Sequence, residues 1–463
     1  MANSILSVPG VNFTPSPKKE VTSSNYLEAS NFNFTNQYMP DLYEKEFQSY
    51  GNQSVKGLLE KIGSEYAMSS DLVKWTEEGR LTKIYKTATR TGNVFSGTSL
   101  VGHSVRVNET VLIYNTVSGI ENIGVVTSVA DDNFTAYSTL AAGYGVGTTA
   151  SQLTIYVFGS EFKKGTPGQD TSLTTDPNIF ENKPIIIKDV DIVNGSDMTQ
   201  IGWIEVAPEY GGGYLWYLKD RAKTRQRFDD LLEMSMVEGK RIEVASDAYV
   251  TGKLRGTEGF FESVSKGNIF EGTISDIETD YALIINRLDA QGAIAENMMF
   301  AKRNQDLAFD KGMASINAVS GSAYAGGQSY GLFGNDVNMA LSLSFKSVMW
   351  GGYTFHKTAW KYLNDPTKRG AITGLSSING VICPAGSMSV YDNVLGANTT
   401  LPFLHIKYRS NSGEDRRYKA WVVGGAGGAT TSSLDANELH LLSERCLNVM
   451  GRNNFVLLKS ASA

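Results

Sequence analysis

Residues 214–240 read YLWYLKDRAKTRQRFDDLLEMSMVEGK. Leu215, Leu218, Ala222, Phe228, Leu232 and Met236 recur at helical spacings, so one apolar stripe runs down about seven turns. Gly239 stands where a terminator is wanted. At ~1.5 Å per residue such a helix is roughly 35–40 Å long, a strut rather than a core filler. Lys219, Arg221, Lys223, Arg225, Arg227, Asp229 and Asp230 crowd its other face. A solvated face is the expectation for them, with contact to neighbouring subunits or nucleic acid as the alternative.

Upstream of this helix, beyond the glycines 211–213, the pattern changes. Residues 159–183, GSEFKKGTPGQDTSLTTDPNIFENK, carry no apolar period, and a loop of this size inside a compact protein is usually functional or partner-bound. PIIIKDVDIV (184–193) and TQIGWIEV (199–206) follow as two strands, which makes 161–205 a long two-stranded excursion. Within 100–160, the runs VRVNETVLIYN, ENIGVVTSVADDNFTAY and SQLTIYVFG are β-branched and broken by Gly, Asn and Asp. They predict a small antiparallel barrel or, equally well, a meander in a larger sheet. Residues 51–99 open with Val55, Leu58, Leu59, Ile62 and Tyr66 at three- and four-residue spacings, read as a helix, and lead into the strands. Residues 1–50, with Pro9, Pro15 and Pro17, favour an extended arm over a packed element.

Downstream, a second helical stretch is expected over about 276–313, with Tyr281, Ile284, Ile285, Leu288, Ala295, Met298 and Met299 on one side and Gly292 interrupting it. Between 316 and 328 the composition falls to Ala, Ser, Gly and Asn, a loop or domain edge. From 337 onward the chain is strand-rich: VNMALSLSFKSVMWGGYTF, TLPFLHIKYR and EDRRYKAWVVGG. It closes with LDANELHLLSERCLNVMGRNNFVLL, where a turn at 451–454 precedes a final apolar strand and Cys446 reads as a small core residue.

Composition narrows the function. The 463 residues suffice for two or three cores, and no repeat of 20–50 residues points to a solenoid or propeller. Forty-two Lys and Arg against 48 Asp and Glu leave a net charge of −6, which speaks against a basic nucleic-acid clamp. At 19% charged and 41% hydrophobic, the chain is too apolar to be disordered; its charge-poor surface fits either a neutral-surfaced monomer, the commoner case, or a protein that buries much of it against partners. The N-terminus lacks the basic-then-apolar pattern of a secretory signal, and no run is long and apolar enough to span a membrane, so a cytosolic origin is expected. The sequons at Asn12, Asn33, Asn108 and Asn133 then read as turn chemistry.

Motifs for catalysis are sparse. Cys383 and Cys446 cannot build a disulfide scaffold or a cysteine zinc site, and His103, His356, His405 and His440 are scattered. The glycine clusters, GGAGG at 424–428 among them, neither continue into GK[ST] nor form GxGxxG. Asp131–Asp132 and Asp229–Asp230 are neighbours that do not converge on one substrate atom, and no GxSxG elbow is present. No catalytic, cofactor or metal residue is expected, and the pattern points to assembly.

This layout resembles the major capsid proteins of tailed double-stranded-DNA phages, the Hong Kong 97-like fold. The features that carry the resemblance are the extended arm, the two-stranded loop, the long charged helix, a mixed domain, and a return to strands whose close, LHLLSERCLNVMGRNNFVLLKS (439–460), reads as a helix or strand, a G-x-N turn and an apolar strand. Residues 267–313, GNIFEG through DKGM, are similar to the corresponding domain of crAss-like and related podophage capsid proteins. The resemblance implies an α+β chain: N-terminal arm (1–50), extended hairpin loop (161–205), peripheral domain with its spine helix (206–250), axial domain (251–336), and strands returning to both (337–463). The 100–160 block departs from this plan and reads as an inserted barrel.

The implied function is a structural subunit that self-assembles into hexamers and pentamers around packaged DNA, which it touches weakly and without sequence preference. Decoration, scaffolding and portal proteins are further implied partners, with no membrane. The implied location is the virion, after assembly in the bacterial host cytoplasm. Apolar residues in segments without a core of their own need a partner's surface. Phe13, Tyr26 and Phe34 of the arm and Phe162, Lys163, Lys164, Phe180 and Ile185 of the loop are therefore the candidate inter-subunit contacts, folding back on their own subunit being the alternative. Two rival classes stay open. One is a portal or tail component, which would want longer helical segments. The other is a carbohydrate-binding or depolymerase β-rich protein, which would want a β-helix repeat or facing carboxylates.

Overall fold

The computed structural model describes residues 58–59, 64–145, 152–169, 171–175, 177–201, 215–272, 274, 277–311, 347–374, 377–392 and 397–460. Among these, 190–201, 215–225 and 422–439 form one compact unit and the remainder a second, larger one. The arm, with Phe13, Tyr26 and Phe34, the glycines 211–213 and the 316–328 stretch lie outside the described residues.

The stretch expected to be a helix over 51–80 is helical only at Leu58 and Leu59 among its described residues. Beyond them it becomes β1 (Ser64–Met68) and β2 (Val73–Glu77). Val73 and Trp75 are buried while Lys74 and Thr76 are exposed, a two-residue alternation that the three- and four-residue spacing upstream conceals.

β3 (Ile84–Thr91), β4 (Val94–Ser96), β5 (Glu109–Asn115), β6 (Glu121–Ala130), β7 (Asn133–Ser138) and β8 (Leu153–Ser160) close into a barrel in the order β3–β4–β7–β6–β5–β8. The barrel begins at Ile84, earlier than the expected boundary at 100. A two-residue Gly92–Asn93 turn, with Gly92 at φ +64°, joins β3 to β4 and brings that hairpin into the ring. Inward residues fill the interior: Tyr85, Phe95, Val111, Ile113, Val126, Phe134, Leu153 and Ile155 are all buried, and the Phe95 and Phe134 rings stack at 5.3 Å. The interior is filled by these side chains as a packed core.

β9 (Asn178–Asn182) pairs antiparallel with β2, forming a two-stranded ribbon whose connecting segment contains the barrel. β10 (Ile185–Asn194) does not turn back on a neighbouring strand. It joins a five-stranded sheet ordered β1–β18–β20–β10, where β18 is Leu404–Arg409, β20 is Ala436–Val449, and β19 (Lys419–Gly424) also pairs with β20. Of the expected 161–205 hairpin, residues 202–206 of the second strand lie outside the described residues. Its first strand belongs to this sheet, and Thr199–Ile201, the start of its expected second strand, is not extended ladder. The ribbon's two strands lie about a hundred residues apart, so no local pattern announces them.

The strut is present as α1 (Trp216–Glu238), 23 residues long, with Phe228, Leu232, Met236 and Val237 buried. Lys223, Arg225 and Arg227 are exposed as expected, but Lys219 and Asp230 are buried. Asp230 meets Lys368 at 3.4 Å, and Glu238 accepts from Tyr362 at 2.8 Å and from Arg369 at 2.6 Å. The acids near the end of the helix are held by the 361–371 turns rather than by water.

The expected 276–313 helix splits into α2 (Ile277–Asp289), β12 (Glu296–Ala301) and a helix over 303–311, with Gly292 at φ +68° in the break. Met298 and Met299 therefore sit on a strand and point to opposite faces. β12 belongs to a six-stranded sheet ordered β11–β21–β15–β12–β14–β13, made by β11 (Asn268–Glu271), β13 (Ser347–Trp350), β14 (Tyr353–Ala359), β15 (Ile378–Pro384) and β21 (Val456–Lys459). Both faces of this sheet are covered. Phe300, Val381, Cys383 and Leu457 face the core that holds Met236, Phe260, Trp360, Leu404 and Leu447. Met299, Ile382, Val456 and Leu458 face a second core with Tyr281, Ile284 and Leu288 of α2. β16 (Ser387–Asp392) and β17 (Ala397–Pro402) form a separate hairpin.

β20 and β21 carry the chain from one sheet to the other through Gly451, which has φ +62°. A Cβ there would lie 3.1 Å from the Phe403 ring, so glycine serves both conformation and space. The expected turn at 451–454 is this feature, and Cys446 is fully buried beside Met450 in a small cluster with Val73 and Trp75.

His405 of β18 is 1% exposed. Its Nδ1 donates to the Pro402 carbonyl at 3.2 Å, and its ring meets Tyr66 edge-on. Burial depresses its pKa from 6.5 to about 4; nearby Lys407 also lowers it, while the Pro402 bond opposes the shift. Protonation therefore reaches the unfolded chain first, and stability falls as pH drops from 6.5 towards 4, by up to about 3 kcal/mol. Denaturant titrations between pH 7 and 4.5 should show this slope. His405→Phe, which keeps a ring but cannot titrate, should flatten it.

Candidate assembly surfaces

The ribbon is pinned at its base by Asn182, which is 1% exposed. Its Nδ2 donates to the carbonyls of Glu258 (2.9 Å) and Leu447 (2.6 Å), and its Oδ1 accepts from the Glu258 amide (2.8 Å) and the Thr257 hydroxyl (3.2 Å). One side chain thereby ties β9 to β20 and to the loop before Phe260. Nothing in the sequence distinguishes this asparagine from its neighbours in NIFENK, because its partners are remote in the chain.

Higher on the ribbon, Trp75 stacks on Phe180 at 5.9 Å, and the Arg452 guanidinium lies 4.7 Å above the Phe180 ring. Glu77 accepts from the Trp75 indole at 3.1 Å and from the Gly451 amide at 2.9 Å. Arg452 also reaches Glu258 at 2.8 Å. The ribbon is consequently built onto the 451–454 turn that joins the two sheets.

The sequence-derived contact residues divide in two. Phe180 is engaged with Trp75 and Arg452, and Ile185 packs against the main core, so both find partners in their own chain. Lys163 and Lys164 are exposed and Phe162 half-buried in the loop after β8. That loop is tethered to the barrel: Arg106 donates to the Thr171 carbonyl at 3.0 Å, and Gln169 to the Val107 carbonyl at 2.9 Å. Thr175 donates to Glu78 at 3.1 Å. The two lysines are thus presented from a fixed base.

A second surface escaped sequence reasoning: the outer wall of the barrel. Ile84, Tyr137, Tyr156 and Phe158 are exposed by 51%, 55%, 37% and 51%, and Val117 and Leu140 by more still. Alternation within β3, β7 and β8 could have flagged these positions, but only closure of the barrel tells inward from outward.

Several charged groups elsewhere are paired. A cleft of about 630 Å³ is lined by Leu59, Leu232 and Ile406 and by Glu65, Asp229, Glu233, Asp415, Arg417 and Arg445. Within it Glu65 bonds both Arg417 and Arg445, the latter at 3.3 Å, and Arg445 donates to the Arg417 carbonyl at 2.9 Å. Burial lowers the Arg445 pKa, and Glu65 opposes that shift. Lys357, itself buried, bridges Asp306 at 2.8 Å and Asp310 at 2.5 Å. Burial pushes the Cys446 thiol up to about 12 and the Cys383 thiol also upward, so neither is a thiolate at neutral pH. Among the described residues no three His, Cys, Asp or Glu side chains are grouped to hold a metal. No helix among them is long and apolar enough to cross a membrane.

No family model matches the chain, and no curated protein matches it. Solved structures do. A chain of Microbacterium phage Oxtober96 is similar at 9% identity, covering 90% of this chain and 96% of its own, with a TM-score of 0.39. The capsid of the native GTA particle, computed with C5 symmetry, is similar at 8% identity over 94% and 99%, with a TM-score of 0.38. The capsid of cyanophage P-SCSP1u is similar at 10% identity over 98% and 100%, with a TM-score of 0.41.

Asn182→Ala would strand two carbonyls and three donors, the Lys183 amide among them, a loss of about 2–4 kcal/mol. Chemical denaturation of the variant should register that loss, with hydrogen exchange rising first in β2 and β9.

Proposed function

We propose that this chain is a structural rather than enzymatic protein: the major capsid protein of a tailed double-stranded-DNA phage, built on the Hong Kong 97-like plan. The observation that carries the reading is the wiring. A two-stranded ribbon precedes a 23-residue helix. A mixed sheet domain follows, and the chain ends by threading β20 into one sheet and β21 into the other. In that plan α1 is the spine of the peripheral domain, the six-stranded sheet with α2 is the axial domain, and the ribbon is the extended loop with the barrel inserted in it.

A shell tile must meet its copies in five- and six-fold settings through nearly equal contacts. The division of labour observed here suits that demand. Two-sided burial makes the body stiff, while apolar and cationic side chains are left outward on the barrel and the loop after it. Phe162, Lys163 and Lys164 are assigned to contacts between copies, and so are Phe13, Tyr26 and Phe34 of the arm. The hexamers and pentamers so formed enclose DNA in the virion after assembly in the host cytoplasm. The net charge of −6 gives a weak, non-specific grip on the packaged polymer. Portal, scaffolding and decoration proteins complete the set of partners.

Expression of the full chain alone should yield capsomers, tubes or shells in negative stain and fast-sedimenting species in the ultracentrifuge. A monomer at every concentration overturns the proposal. Deletion of residues 1–40 should leave the circular dichroism of a folded subunit and abolish shells.

A further inference from the structure

Three outward residues of the barrel and one half-buried one form a single row across four strands. The pairings Ile84↔Tyr156, Leu112↔Tyr156 and Leu112↔Ile123 run β3–β8–β5–β6, so these side chains are successive cross-strand neighbours on one wall. Tyr137, on β7 opposite Val125, and Phe158, further along β8, widen the patch.

The adjacent row is polar at its ends. Tyr114 lies opposite both Thr154 and Glu121. On β3 the register shifts between Tyr85 and Ala88, so Lys86 and Thr87 share Thr154 as their counterpart, with Thr87 at φ +61°. Read across the wall, the row is Lys86, Thr154, Tyr114, Glu121. Lys86 and Glu121 are both exposed, and neither is drawn into an ion pair among the described residues.

We propose that this wall is a two-fold contact between two copies of the chain, resting on the capsid reading above and naming one of its interfaces. A two-fold axis through the middle of the wall places Lys86 of each copy against Glu121 of the other, because the row is positive at one end and negative at the other. The apolar row beside it then closes against its own equivalent. Closure of the barrel removes free strand edges, so the contact is made by side chains rather than by added ladder.

The area agrees with this occupant. Five side chains exposed by a third to a half of their surface offer roughly 500 Å² of largely apolar area. A standard interface takes ~800 Å² from each partner, a little over half of it apolar. A partner of one charge sign would match only one end of the row, whereas a second copy in two-fold orientation matches both.

Charge reversal in the full-length chain tests the arrangement. Lys86→Glu and Glu121→Lys, singly, each set two like-charge pairs into every contact and should cut the assembled fraction by about tenfold in sedimentation velocity. The Lys86→Glu/Glu121→Lys double variant restores both pairs and should return to within about twofold of the parent. Single variants that assemble normally, or a double variant as impaired as the singles, overturn the two-fold contact. Thermal melts by circular dichroism should match the parent, since both positions are outward.

A Lys86→Cys/Glu121→Cys variant gives an independent readout. Assembled particles treated with diamide should yield a covalent dimer on a non-reducing gel, and failure to do so counts equally against the contact. A parent chain that assembles while the variants behave like it sinks only this interface. A parent chain that never assembles sinks the capsid reading itself.

Discussion

The structure depends on one constraint, that the chain's last strands belong to two sheets at once. β20 lies between β18 and β10, and β21 lies between β11 and β15. Only a short segment around the Gly451–Asn454 turn separates them, so both ladders are fed by one short run of chain. The turn is anchored from outside by the Glu77 carboxylate on the Gly451 amide and by Arg452 on Glu258. The apolar residues of β12, β15 and β21 are divided between the two cores, Phe300, Val381 and Leu457 on one face and Met299, Ile382 and Leu458 on the other, which packs this sheet tightly on both sides.

The ribbon inherits that rigidity. Asn182 bonds the backbone of β20, Trp75 packs beside Cys446 and Met450, and Phe180 lies under Arg452. Whatever the barrel contacts is therefore coupled mechanically to the sheet junction. On the proposed capsid reading, contact made at the barrel would be passed through the ribbon to the turn that joins the two sheets.

Ionic groups tie distant elements together. Lys357 between Asp306 and Asp310, Glu238 beneath Tyr362 and Arg369, and Glu65 between Arg417 and Arg445 each join elements far apart in sequence. The Lys357 pairs are the buried ones: such pairs add little net stability when formed, yet removing one partner leaves a buried charge and is costly. Their contribution is to the specificity with which these elements dock.

Local periodicity was enough to reveal α1, the β-rich block that became the barrel, the long final strand and the glycine turn at 451, because each is written in neighbouring residues. The same signals misled at 51–80, where a helical spacing ran into strands, and at Met298–Met299, where a helical stripe hid an alternating strand buried on both sides. The ribbon lay beyond reach for a different reason: β2 and β9 meet across an inserted domain, and pairing over such a distance leaves no trace in local order. Phe180 and Ile185 looked partnerless for the same cause, their partners being Trp75, Arg452 and a distant core. Which side chains of the barrel face outward, and that Lys86 and Glu121 end one row, was decided by closure and by the bulge in β3, since inside and outside acquire meaning only once the sheet meets itself.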